Sequence, residues 1–150
     1  MGLKEKLQAD LTDAIKARNE TKAGTIRMVL AAITTEEVSG KQARVLTDAE
    51  IITVLSREAK KRREAIDAYA AANRADLVAK EKSESDVISA YLPEQLSDSE
   101  IEKLVQDAIS QTGASGPSGM GQVMKFLQPK IAGKADGGKV SAIVKKALGS

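Results

Sequence analysis

The sequence predicts an all-α fold, and three observations carry that prediction. Apolar residues recur at intervals of three and four through most of the chain, Ser/Thr-x-x-Glu boxes stand where two of these stripes begin, and no stretch alternates apolar with polar residues as a half-buried strand would. Leu3, Leu7, Leu11 and Ile15 mark a first amphipathic helix that runs out near Asn19, and Ile26, Val29, Leu30 and Ile33 mark a second that stops by Gly40. Lys41 to Leu46 reads as a loop. Thr47 and Glu50 form the first box and open a long helix bearing Ile51, Ile52, Leu55, Ala59, Ile66 and Tyr69. Its many Ala, Glu, Arg and Lys residues are strong helix formers and carry it to Asn73, a length of about 39 Å. Asn73 tolerates the left-handed conformation that ends a helix, and Asp76 stands where it can cap a fourth, running through Leu77, Val87, Ile88 and Tyr91. Pro93 disfavours helical geometry at Leu92 and closes it. Ser97 and Glu100 form the second box, followed by Ile101, Leu104, Val105, Ala108 and Ile109 and ended by Gly113. After a Gly/Ser-rich loop to Gly119, Val123, Met124, Leu127 and Ile131 give a sixth helix, which Pro129 kinks or shortens by removing one backbone hydrogen bond. Asp136 caps a seventh, with Val140, Ile143, Val144, Ala147 and Leu148. A boundary between Pro93 and Ser97 therefore separates an N-terminal four-helix domain, residues 1–93, from a small three-helix bundle, residues 97–150. Three short helices bury their stripes only against one another.

Composition narrows the function classes. At 150 residues the chain is long enough to bury roughly 70% of the surface it exposes when unfolded. It has no His and no Cys, so the residues most used for acid–base, thiol and zinc chemistry near neutral pH are missing. Tyr69, Tyr91 and Phe126 are its aromatic residues, too few for a platform that stacks the bases of a single strand. No apolar run approaches the ~20 residues that cross a bilayer, so a membrane partner is not expected. The start, Met1-Gly2-Leu3-Lys4-Glu5-Lys6, shows neither a secretory signal nor a myristoylation pattern, and a cytoplasmic location is expected.

The net charge of +2 hides an uneven distribution. From Gly116 onward Lys125, Lys130, Lys134, Lys139, Lys145 and Lys146 face a single acid, Asp136, a net +5. These six lysines are the candidate nucleic-acid-binding residues, because clustered cations neutralise phosphates. A second basic cluster, Arg57, Lys60, Lys61, Arg62 and Arg63, is interrupted by Glu58 and followed by Glu64.

Motifs that would carry chemistry are incomplete. Gly116 and Gly121 have P-loop spacing, but Gln122-Val123 stands where Lys-Ser/Thr is required; Gly119-x-Gly121 opens a dinucleotide fingerprint, yet Met124 occupies its third glycine. Ser115, Ser118 and Lys125 could form a Ser–Lys pair only if the fold brought them within hydrogen-bond reach; the simpler reading is a loop, a Ser118 cap and a solvated lysine. Glu81, Glu84 and Asp86 are the densest acidic group, and neighbouring Lys80 and Lys82 favour a salt-bridged face over a metal site. Arg74 with Asp76 could hold an anion, but a turn with a cap is the simpler reading. Met120, Met124 and Phe126 read as core filling. No catalytic residue, metal or cofactor is assigned.

The order and spacing of several short elements resemble the GatB/YqeY family, small helical proteins similar to the tail of the B subunit of the tRNA-dependent Asp/Glu amidotransferase. The elements are Thr25-Ile26-Arg27-Met28, Arg74-x-Asp76-Leu77, Lys80-Glu81, Glu84, Tyr91-Leu92-Pro93, Gly121-x-Val123-Met124 and Gly133-x-Ala135-Asp136-Gly137, with Asn73 where Gly is usual and Lys134 where Arg is common. The resemblance implies two helical domains, the second similar to the tail that reaches tRNA. In that enzyme the sites for phosphorylation and glutamine hydrolysis lie in parts this chain lacks, so the association with glutamine-dependent carbon–nitrogen ligase activity does not imply catalysis here. The expected function is a non-catalytic module bound to tRNA or structured RNA. The alternatives are an accessory component of an amidotransferase or another tRNA-processing enzyme, acting through protein contacts, and a structural helical adaptor.

Overall fold

The computed structural model describes residues 2–149, in seven α-helices and one short 3-10 turn, and none of these residues lies in a strand. The fold class is the one the apolar spacing predicts. The helices are α1 (Leu3–Lys16), α2 (Glu20–Glu37), α3 (Asp48–Ala71), α4 (Ala75–Ser89), α5 (Asp98–Thr112), α6 (Met120–Ile131) and α7 (Gly137–Ala147), with the 3-10 turn Pro117–Gly119 leading into α6. The chain divides into two compact units between Leu92 and Pro93.

In the first unit α3 packs most extensively on α4, α1 on α2, and α2 on both α3 and α4. Leu7, Ile26, Ile33, Ile51, Leu55 and Ile88 are the large side chains sealed from water at its centre. Two charged residues are buried beside them. Glu37, at the end of α2, accepts from Lys4 Nζ at 2.8 Å and from the Leu46 amide at 3.3 Å, so its carboxylate ties α1, α2 and the loop before α3 together. Lys4's hydrogen bond, supported by the Leu46 amide, holds its carboxyl below the ordinary glutamate value. Arg62, from the middle of α3, donates to Glu58 Oε2 at 2.8 Å and lies with Nε 3.6 Å from Glu84 Oε2 on α4; Nε has no hydrogen-bond acceptor. Burial first, and then the neighbouring Glu81, pushes the Glu84 carboxyl above its ordinary range. Near the end of the unit the Tyr91 hydroxyl donates to Asp10 at 2.5 Å, and Lys6 Nζ stands 5.6 Å from the Tyr91 ring centroid.

In the second unit α5, α6 and α7 close on Ile101, Val105, Val123, Leu127, Val140 and Val144, an all-aliphatic centre. Ser97 and Glu100 make both halves of the capping box, and Gly113 ends α5 at φ 67° in the left-handed region where a Cβ would be strained. Gly119 is buried where the 3-10 turn meets Ala114. A Cβ added there would stand 2.7 Å from the Ala114 Cβ, so this glycine is a packing requirement.

The structure corrects several local expectations. α1 ends at Lys16, and Asn19 instead caps α2 by accepting from the Lys22 amide. Ile15 is half exposed at 50%, whereas Ala14 is buried. A strict four-residue spacing advances about 40° per step around a helix, so the stripe from Leu3 has rotated away from the core by Ile15, while Ala14 returns to within about 20° of Leu7. Thr47 accepts from the Glu50 amide, but Glu50 completes no box because its carboxylate pairs with Arg44. Asp76 does not cap α4; it sits in the first turn and accepts a two-pronged pairing from Arg74, Nε to Oδ1 at 3.3 Å and Nη2 to Oδ2 at 3.2 Å. Ser118 caps nothing either, since α6 begins without a side-chain cap. Asn73 does adopt the left-handed conformation, at φ 58°.

Candidate functional site

The C-terminal lysines sit on a scaffold whose turns are fixed by local chemistry. After α6 the chain reverses through Gly133, at φ 72°, with the amides of Lys134 and Ala135 both donating to the Ile131 carbonyl. Asp136 then accepts from the Gly138 amide and starts α7. Gln95 clamps this turn from outside, its Nε2 donating to the carbonyls of Pro93 at 2.7 Å and Gly133 at 2.8 Å, while the Leu96 amide donates to the Lys134 carbonyl at 2.8 Å. The Gly133–Gly137 segment is therefore a braced corner of the second unit.

All six candidate lysines are exposed, but they are not equivalent. Lys139 pairs with Asp98 at the start of α5, and Lys130 Nζ lies 4.8 Å from the Phe126 ring centroid. Lys125, Lys134 and Lys146 make no ion pair among the described residues, which leaves them the lysines with least to give up on meeting a phosphate. Lys139 and Lys146, seven residues apart, share a face of α7, whereas Lys145 lies on its other flank. The charges thus wrap the outside of α6, the corner and α7 instead of forming one stripe. Gly121 and Gly137, in the first turns of α6 and α7, have nothing within 4 Å of an added Cβ, so no packing demand accounts for them.

The remaining motif residues are dispersed. Leu77, Glu81, Tyr91 and Leu92 are half-buried parts of the first unit, with Tyr91 and Leu92 packed on its core. Pro93 supplies a carbonyl to Gln95, and Met124 and Ala135 pack against the aliphatic centre of the second unit. Arg74 is satisfied by Asp76, whose carboxyl that pairing holds below its ordinary range. No hydrogen bond joins Ser115, Ser118 and Lys125 among the described residues, and Ser115 and Ser118 are exposed loop and turn residues. Nor, among the described residues, do three carboxylates converge as a cation site would require. Gln95 is the residue of this corner that sequence reasoning misses, because its spacing from Gly133 carries no local signal.

Fold and site together define a two-unit, all-α protein whose second unit exposes lysines around a braced corner. A family model described as Yqey-like protein matches residues 4–148, and the chain belongs to that family. It is 30% identical over 148 residues to altered inheritance of mitochondria protein 41, mitochondrial, of Pyrenophora tritici-repentis, an alignment covering 97% of this chain and 80% of the relative. The proteins of the same name in Lachancea thermotolerans and Saccharomyces cerevisiae strain YJM789 are 30% and 34% identical, over 75% and 64% of this chain and 60% and 51% of the relatives. These relatives are named as mitochondrial proteins, which overturns the cytoplasmic expectation. That expectation rested on the first few residues, and a cellular address is read by receptors and is not encoded in fold or composition. No described helix is long and apolar enough to cross a membrane.

Proposed function

We propose that this protein is a non-catalytic module that associates with tRNA or another structured RNA through its second unit. The observation that carries the reading is the uneven charge within that unit: from Gly116 onward six exposed lysines stand against one acid, whereas Pro93 to Ser115 carries five acids and one lysine. Such a surface gains affinity by releasing the counterions condensed on phosphates and has little means of reading bases, since aromatic residues are nearly absent. The resemblance to the amidotransferase tail points to tRNA as the first RNA to test.

Binding of a tRNA transcript should weaken steeply with salt and depend little on sequence. Replacing Lys125, Lys134 and Lys146 together with Gln should lower affinity and reduce the salt slope by about 1 for each phosphate no longer neutralised. Replacing the exposed Lys41 and Lys82 of the first unit should change neither. Equal effects of the two sets would mean general charge attraction. Absence of binding at low salt, together with a protein partner that survives nuclease treatment, would replace this reading with that of an accessory component of an amidotransferase or another tRNA-processing enzyme.

A further inference from the structure

The first unit holds a cleft of about 530 Å3 at the turn between α1 and α2, far outside the lysine surface in the sequence. Its lining is of two kinds. Ala14 and Ala23, both 3% exposed, and the half-exposed Ile15 give it an apolar floor and wall, while Arg18, Arg27 and Glu20 bring charge to its edge. Of the seven arginines in the chain, Arg44, Arg57, Arg62 and Arg74 are held in ion pairs. Arg18, Arg27 and Arg63 have no such partner among the described residues, and the first two line this one cleft.

We propose that the cleft binds a small amphiphilic oxyanion: a carboxylate or phosphate group on a short aliphatic body. An Arg fork matches a carboxylate or phosphate with two parallel hydrogen bonds, and two unpaired forks at one opening provide such a partner without first breaking an ion pair. The two arginines against Glu20 leave a net single positive charge, which favours a carboxylate, of charge −1, over a phosphate monoester, of about −2 at neutral pH. Ala14 and Ala23 leave room over the floor, and Ile15, otherwise an aliphatic side chain standing in water, gains a partner when the body of the ligand lies against it. The volume lies within the range of about 300–1,000 Å3 usual for small-molecule sites. Oxyanion and apolar body are both required, and this separates the site from a surface that merely attracts anions.

The test is a titration of isotope-labelled full-length protein, followed by amide chemical shifts, with hexanoate, hexyl phosphate, inorganic phosphate and hexylammonium. Hexanoate or hexyl phosphate should shift the amides of Ala14, Ile15, Arg18, Asn19, Ala23 and Arg27 saturably, and whichever binds more tightly identifies the headgroup. Arg18→Gln with Arg27→Gln should weaken binding at least tenfold. Ile15→Asp should do the same while leaving the circular dichroism unchanged, since the side chain is half exposed. Glu20→Gln should tighten binding. The proposal is overturned if inorganic phosphate binds as well as hexyl phosphate, if hexylammonium binds equally, if the shifts centre on Lys125, Lys134 and Lys146, or if the folded arginine variants bind like the parent.

Discussion

At the scale of single residues, the two glycines that flank Met120 have opposite reasons for being there. Gly119→Ala drives a methyl group to within 2.7 Å of the Ala114 Cβ, with both groups fixed to backbone, and should cost about 1–3 kcal/mol in urea unfolding. Gly121→Ala meets open space in a helix and should be neutral or stabilise by up to about 1 kcal/mol. Similar destabilisation at both positions would refute the packing assignment. Two glutamates of the first unit likewise pull the pH dependence in opposite directions. Glu37 titrates below its ordinary value, so its contribution is complete above the pKa of an unfolded-chain glutamate and is lost as the pH falls through its lowered native value. Glu84 titrates above its ordinary value, so acidification from neutrality lets the folded chain take up this proton before the unfolded chain does, which favours folding over that interval. Carboxyl-carbon titration by NMR should place the Glu84 midpoint above that of Glu37; the reverse order would remove the argument.

At the scale of elements, the N-terminus of α5 is the most completely specified start in the chain, with the Ser97 hydroxyl and the Glu100 carboxylate each satisfying an amide. Ser97→Ala should cost about 1 kcal/mol, read as a loss of stability without change in the denaturant slope, and an unchanged midpoint would show that the box contributes nothing. This box, the Gly113 stop and the left-handed Asn73 are legible in the sequence because donor, acceptor and conformational preference lie within a few residues of one another. What the sequence hides arises from local competition or distant partners. Glu50 is drawn away by Arg44, and Asp76 by Arg74, each a charge pair that outcompetes a cap. The Lys4–Glu37 and Tyr91–Asp10 hydrogen bonds join residues 33 and 81 positions apart, and no pattern in one chain announces them. For the candidate site the sequence shows the number and sign of the lysines. It does not show that Asp98 engages Lys139, or that Gln95 braces the corner between α6 and α7.

At the scale of the whole molecule, the two units are of unequal size and each has its own apolar centre. We propose that residues 93–150 fold without the rest, since Gln95 and Leu96, which clamp the corner, belong to this segment. A unit this small has a stability of only about 3–5 kcal/mol at best. The isolated fragment should show helical circular dichroism and a cooperative thermal transition, and a featureless melt would count against independent folding.

The placement of Tyr69 and Tyr91 has an optical corollary. Both chromophores that absorb appreciably in the near ultraviolet belong to the first unit, one of them bonded to a carboxylate, while the second unit holds only Phe126. Tyrosine emission is therefore a reporter on one half of the protein, and far-ultraviolet ellipticity on both halves. Melting the intact chain with the two signals recorded together would make the second unit visible as a difference, and superimposable curves would mean that the halves unfold as one.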